Sequence, residues 1–335
     1  MSPYLRRHGM ILLRRVEASA PGKVILFGEH FVVRGYRALA TAIGLRARVI
    51  VEESRGGSIR FISPNLKLEE SISLNLENPI HREFEVYTAI LRSLKSRGYT
   101  IIPHNVIIDS DIPLSAGLGS SASTSVAYTL AYTTLHDSPL REDELLEVSL
   151  EGEKIAHGKP SGIDVNIAVS GGTIVYKRGE KPIRIADVNI PRGYSLLIID
   201  SGIKRSTRDA VEHVLRLSGD YWSIMEYIYR AADAIIDDAI EALRAGDMRR
   251  LSTLMNINHG LLSSIGVSRL ELDMIVNSLR ESGALGAKLT GAGWGGCVIA
   301  IIEDNIIDSI TSRLLKYKVY RTLINASGAR VDYST

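Results

Sequence analysis

Four short stretches hold the residue types that could do chemistry. In 111-DIPLSAGLGSSAS-123, Gly117 and Gly119 stand among Ser115, Ser120, Ser121 and Ser123, with no aromatic residue and no charge after Asp111. Glycines let the backbone approach a ligand closely, and a helix that starts at the serines turns free N–H groups and a positive dipole end toward the loop. That is anion-binding chemistry, and the hydroxyls of Ser120, Ser121 and Ser123 could reach phosphate or a metal-bound oxygen. Taken alone, a plain helix start in a serine-rich turn accounts for the run equally well. In 21-PGKVILFGEH-30 the polar residues are Lys23, Glu29 and His30, a set that could also form a surface salt bridge. In 153-EKIAHGKPSGID-164, Asp164 leaves a Pro/Gly break and precedes apolar 165-VNIAV-169, a setting that suits a general base or a metal ligand. The fourth stretch, 291-GAGWGG-296, would let another segment or a ligand come close.

Two common nucleotide loops are excluded by context. Gly117, Gly119 and Ala122 match the spacing of a dinucleotide fingerprint, but the following helix leads into a second helix rather than a strand. Asp137, at the right distance for the ribose acid, falls in a helix–helix turn. No Gly-Lys-Ser/Thr follows the run, so it is not a Walker loop either.

The elements that would carry these stretches follow from periodicity and punctuation. Residues 16–33 read as strand, turn, strand, with Pro21 and Gly22 in the turn. Strands are expected at 41–54, at 58–63 as its partner, and at 104–113. Helices are expected at 82–98, at 121–136, and from Ser138-Pro139 to about His157, stopped by Gly158. A strand covers 171–179, and the pattern changes between Lys181 and Val188, which sets a boundary there. The second part opens with a buried strand at 194–200 and continues with helices across 221–246 and 247–266. Ser268 with Glu271 reads as a capping box for the next helix. Strand, glycine turn and strand fill 286–302, and a helix follows at 304–317. Strands bunch rather than alternate strictly with helices, which indicates α+β architecture over a doubly wound sheet.

Bulk properties narrow the function classes. With 40 basic and 38 acidic residues, the chain lacks the basic excess of a nucleic-acid protein, and Arg6, Arg7, Arg14 and Arg15 read as a solvated terminus. The 335 residues allow two domains at roughly 150 residues each. The lone Cys297 excludes a disulfide framework and, within apolar 297-CVIAII-302, reads as a small buried side chain. No apolar run reaches the ~18 residues of a membrane span, and 10-MILL-13 is too short for a signal-peptide core. The expectation is a cytoplasmic protein with neither membrane nor nucleic-acid partners.

In their order along the chain, PGKVILFGEHFVV, PLSAGLGSSAS and KLTGAGWGG resemble the three motifs of the GHMP small-molecule kinases. Within that family, the Glu29-His30 pair and 153-EKIAHGKPSGID-164 look most like the branch that phosphorylates mevalonate. The resemblance implies a two-domain α+β fold. Residues 1–183 would form an ATP-binding domain resembling domain 2 of ribosomal protein S5, and residues 184–335 a ferredoxin-like domain. It implies ATP and Mg²⁺ as cofactors and transfer to the C5 hydroxyl of mevalonate. The alternative is a sibling activity: a mevalonate 3-kinase, phosphomevalonate kinase, galactokinase or homoserine kinase. ATP would lie on Pro113, Leu114, Ser115, Ala116, Gly117, Leu118, Gly119, Ser120, Ser121, Ala122 and Ser123. Asp164 and Lys23 would be catalytic, and Ser121 and Glu153 would hold the metal. Glu29, His30 and Thr207 would bind substrate, with Lys204, Arg205 and Arg208 near enough in sequence to attract its carboxylate. His157, Gly291 and Gly293 would have supporting roles. A homodimer is compatible with the family.

Overall fold

The computed structural model describes residues 13–113, 116–158 and 161–335. The first sheet starts with two long neighbours, β1 (Arg15–Phe27) and β2 (Ala38–Glu53), paired antiparallel. Pro21 and Gly22 do not turn the chain. They sit at a register shift between Pro21 and Lys23, so the expected strand–turn–strand is one bulged strand. Proline lacks the N–H that a regular ladder needs, and a bulge accommodates it while re-aiming the next side chain. A 3₁₀ turn at Phe31–Arg34 then replaces the second strand expected there.

The hairpin β3 (Ser58–Ser63) and β4 (Leu68–Ser73) is followed by α1 (Glu85–Ser96) and β5 (His104–Ser110). The expected β2–β3 pairing does not form: β5 lies between them, antiparallel to β2 and parallel to β3. β5 buries Val106 and Ile108, which suits an interior strand. β4 carries Glu69 and Glu70 and buries little besides Ile72, which suits an edge.

Of the next three helices, α2 (Ser120–Leu135) and α4 (Ile163–Ser170) pack on this sheet, and α3 (Glu142–His157) packs on α1, α2 and α4. Small residues around α2 let it sink against β1 and β2, with Val126, Tyr128 and Tyr132 fully enclosed. α3 begins at Glu142 rather than at Pro139, because Glu142, Asp143 and Glu144 place negative charge on its first turn. The Arg141 amide donates to Glu144 Oε2 at 3.1 Å. The apolar 165–169 run is part of α4, directly after Asp164. β6 (Thr173–Tyr176) and β7 (Ile183–Ile185) complete this side.

The second sheet is antiparallel and four-stranded. In chain order its part of the molecule is β8 (Tyr194–Asp200), α5 (Thr207–Asp220), α6 (Trp222–Ala245), α7 (Met248–Ser264), α8 (Leu270–Glu281), β9 (Gly286–Thr290), β10 (Cys297–Glu303), α9 (Ile307–Arg313) and β11 (Lys318–Thr322). The strands stand in the order β11-β8-β10-β9. The capping box expected at Ser268 is absent: Arg269 is the cap residue, and Ser268 Oγ donates to Asp273 Oδ1 at 2.6 Å. Cys297 is buried, and burial pushes its thiol up to about 12, so it is inert packing. Among the described residues, no helix is long and apolar enough to cross a membrane.

The chain finishes on the first sheet, where β12 (Arg330–Ser334) runs antiparallel to β1. Arg46 anchors this return. Its buried guanidinium donates to Ser19 O at 2.9 Å, Ser327 O at 2.8 Å and Gly328 O at 2.8 Å. Arg46→Met would leave those carbonyls short of donors and free the strap. Thermal or urea unfolding should show a loss of about 2–4 kcal/mol. A change below about 0.5 kcal/mol, typical of an ordinary surface site, would contradict the anchoring role.

Candidate functional site

The glycine-serine run lies at the start of α2, as its residue types predict. Gly117 and Gly119 both take left-handed backbone angles, φ 78° and 80°, that favour glycine. Ala116 and Leu118 point into the core, while Gly117 stays exposed. The loop is fixed to β1 from two sides. Lys23 N donates to Leu118 O at 2.8 Å, and Ser123 Oγ donates to Pro21 O at 2.7 Å and Gly119 O at 2.8 Å. Ser123 therefore braces the loop from behind. Pro113 is half-buried at the loop's entrance, Ser120 and Ser121 open the helix, and Ala122 is buried behind them. Leu114 and Ser115 lie outside the described residues, as does the side chain of His157.

Lys23 and Asp164 meet under this loop, although 141 positions separate them in sequence. Lys23 Nζ is 3.3 Å from Asp164 Oδ1 and also donates to Gly117 O at 3.0 Å. The lysine side chain is 7% exposed and the aspartate 34%, so the ammonium is enclosed while the carboxylate faces the cleft. Gly162, with φ 86°, precedes α4 and lets Asp164 enter its first turn. Gly119 lies against the same pair: a Cβ there would lie 3.2 Å from Lys23 Cγ and 3.8 Å from Asp164 Oδ2. Across the loop, Ser121 Oγ donates to Glu153 Oε1 at 2.5 Å, joining the first turn of α2 to α3. These are hard oxygen donors of the kind magnesium prefers. Among the described residues, no group of three or more His, Cys, Asp or Glu side chains is placed to hold a metal ion.

The 291–296 turn comes to the loop from the second half of the chain. A Cβ on Gly296 would fall 3.1 Å from Ala116 O, so the two glycine turns are in close contact. Gly291 and Gly296 face the guanidinium of Arg205. Gly293 instead packs against the α7–α8 connection, where a Cβ would meet Val267 O at 2.2 Å.

Glu29 and His30 lie at the seam between the halves. Glu29 is fully buried; Lys288 Nζ donates to its Oε1, and Asn258 Nδ2 donates to Oε2 at 3.3 Å. Both oxygens are thus engaged inside the protein, which differs from the substrate contact expected of Glu29. Lys288 and Asn258 were missed by sequence reasoning. The available signal was a lysine inside apolar strand 286-GAKLT-290, since lysine is almost never buried unpaired. His30 has φ 63°, and its Nε2 lies 2.8 Å from Ala292 O, an acceptor, so Nε2 carries the proton. Nδ1 is then a buried lone pair with no partner among the described residues. Thr207 opens α5 in an exposed position; its neighbour Ser206 caps that helix by accepting from Asp209 N at 3.2 Å. Arg208 is exposed and paired with Glu212 at 2.9 Å, and Lys204 is exposed, so Arg205 alone of the three basic residues enters the cleft.

This is a cleft with a phosphate-type loop and a lysine–aspartate pair at its base, and the chain belongs to the GHMP kinases. Residues 84–172 match the GHMP kinases N terminal domain and residues 239–319 the GHMP kinases C terminal domain. The mevalonate kinase of Aeropyrum pernix is 45% identical over 95% of this chain and 99% of its own length. That of Thermococcus sibiricus is 34% identical over 95% and 98%. Among solved structures, L. major mevalonate kinase in complex with R-mevalonate superposes with a TM-score of 0.80 at 30% identity, covering 92% of this chain and 96% of that one. Methanococcus jannaschii mevalonate kinase gives 0.82 at 28% identity, covering 95% and 99%. The fold is the two-domain, mixed α and β fold of that family, and ATP is the family's phosphoryl donor.

Burial holds the imidazoles of His30, His104 and His259 down at about 4. Between pH 6.5 and 4, the unfolded chain takes up protons that the folded chain refuses. The stabilisation is therefore complete above pH 6.5 and lost as pH falls toward 4. Urea midpoints measured across this window should decline with pH, and less steeply for His30→Gln. An identical pH dependence for the two proteins would contradict a neutral His30.

Proposed function

We propose that this chain transfers the γ-phosphoryl group of ATP to the C5 hydroxyl of mevalonate, giving 5-phosphomevalonate and ADP. The observation that carries the chemistry is the Lys23–Asp164 pair, 3.3 Å apart beside the glycine-serine loop. The substrate assignment draws on the mevalonate kinases to which the chain is similar over nearly its whole length.

Phosphoryl transfer needs positioning and charge neutralisation more than covalent help from the protein. Backbone N–H groups from Ala116 to Ser121 and the N-terminus of α2 receive the β- and γ-phosphates. Asp164 accepts the proton of the C5 hydroxyl as that oxygen bonds to the γ-phosphorus, and the bond from the γ-phosphorus to ADP breaks. The Lys23 ammonium, 3.3 Å from Asp164, stabilises the negative charge that develops in the transfer. Ser121 and Glu153 are the residues suited to hold Mg²⁺. When bound, Mg²⁺ would neutralise phosphate charge. His30 Nδ1 accepts a hydrogen bond from a hydroxyl of mevalonate, and Glu29 fixes the His30 segment through Lys288 and Asn258. Thr207 stands at the edge of the substrate's polar end. Gly291 supports the loop from the second domain, and Gly293 fixes the turn that carries Gly291. The proposed division is residues 1–183 and 184–335, with β12 strapping the second part back to the first sheet.

Asp164→Asn should lower mevalonate-dependent ADP release by about 100- to 10,000-fold, while ATP affinity measured by calorimetry stays close to that of the parent. Unchanged turnover would remove Asp164 from the reaction. Ser121→Ala should raise the Mg²⁺ concentration needed for half-maximal rate. An unaltered Mg²⁺ titration would count against Ser121 as a ligand.

A further inference from the structure

The second glycine turn carries a side chain that its backbone does not suit. Trp294 stands between Gly293 and Gly295 with φ 55°, in the left-handed region that a bulky residue rarely enters. A glycine there would take the same angle without strain, so the contacts of the indole have to offset it. Trp294 Nε1 donates to Gly266 O at 2.8 Å, and Trp294 N donates to Val267 O at 2.8 Å. Both acceptors lie in the connection between α7 and α8. The same connection lays the Arg269 guanidinium over the indole, 5.6 Å from the ring centroid. His213 of α5 packs against the ring with centroids 5.3 Å apart. One side chain thus latches the turn to two other elements of the second half.

The latched turn presents Ala292 to the first half. Ala292 O accepts from His30 Nε2 at 2.8 Å, and His30 is itself left-handed, with φ 63°. Two large left-handed residues therefore act on one short turn at the seam, and strain of this kind collects where function fixes a geometry. A neutral imidazole has one proton for two nitrogens, and the partner of one nitrogen decides the state of the other. Among the described residues, the ring of His30 has no hydrogen bond besides the one to Ala292 O, and Nδ1 is left as a buried lone pair. The position of Ala292 O thus selects the tautomer.

We propose that Trp294 is a positioning residue: it latches the second glycine turn so that Ala292 O holds His30 in the Nε2–H form, with Nδ1 kept as an acceptor for the substrate hydroxyl. The substrate contact rests on the reading of His30 given above; the tautomer does not.

Trp294→Gly and Trp294→Phe in the full chain test this, with unfolding midpoints as the control for folding. Nitrogen NMR of the imidazoles in neutral solution, with His30 assigned by its loss in His30→Gln, reads the tautomer without any substrate. The parent should show His30 protonated on Nε2 alone. Trp294→Gly should show both tautomers, and Trp294→Phe, which keeps a ring but loses the indole N–H, a smaller admixture. In steady-state kinetics, Trp294→Gly should raise KM for mevalonate about tenfold. Its kcat should fall less than about threefold, with KM for ATP unchanged. Combined with His30→Gln it should raise KM no further, because both changes act through one hydrogen bond. A pure Nε2–H signal in Trp294→Gly would overturn the proposal. Losses in kcat and in both KM values that persist in the His30→Gln background would also overturn it and leave Trp294 a brace. If the parent does not turn over mevalonate, the acceptor reading fails by itself, and the tautomer comparison still decides whether Trp294 positions His30. Trp294→Phe carries the same measurements if Trp294→Gly does not fold.

Discussion

The structure of the cleft depends on an enclosed ammonium. Lys23 is buried at a bulge in β1, and a buried lysine without a counter-charge is costly enough to shift or abolish its ionisation. Asp164, at the first turn of α4, supplies that charge at 3.3 Å. Gly119 and Gly162 both take left-handed backbone angles that favour glycine, one at the start of α2 beside Lys23 and one at the start of α4. The glycine-serine loop, the Asp164 carboxylate and the central strand are thus mutually constrained, and the groups proposed to do the chemistry also hold the cleft in shape.

A second buried pair does the same between the halves. Glu29 comes from the segment after β1 and Lys288 from β9, and both are enclosed. Asn258 on α7 donates to the remaining carboxylate oxygen. His30, next in the chain, is bonded to Ala292 in the second glycine turn. Removing one member of such a pair would leave an unpaired charge in a dry interior, which is worse than removing both. The seam between the sheets therefore brings its polar groups together only when the halves are docked, and the lone pair of His30 is held in place by that docking.

The residues of the cleft carry local signals, while their roles are what the family resemblance implies. Gly117, Gly119, the serines after them, Lys23 and Asp164 announce themselves by type and punctuation, and the structure brings them together. What was not legible depended on distant partners. Pro21-Gly22 looks like a turn in one dimension, but across from β2 it is a bulge within a continuous strand. The partner of β3 could not be read because β5, more than 40 residues later, takes the place beside β2. Glu29 was read as a substrate residue through the family resemblance, and its partner Lys288, 259 positions away, could not be found from the residues around it. Arg205 was visible as a basic residue, but its placement between two glycine turns belongs to the fold.

Phosphorylation of mevalonate on C5 can be tested directly in this cleft. The most direct measurement is ADP release from Mg-ATP with mevalonate, phosphomevalonate, galactose and homoserine in turn, with the product examined by NMR. Turnover is expected with mevalonate alone, with phosphorus coupled to the C5 protons. Phosphate on C3, turnover with another of the four compounds instead, or no turnover with any of them would contradict it.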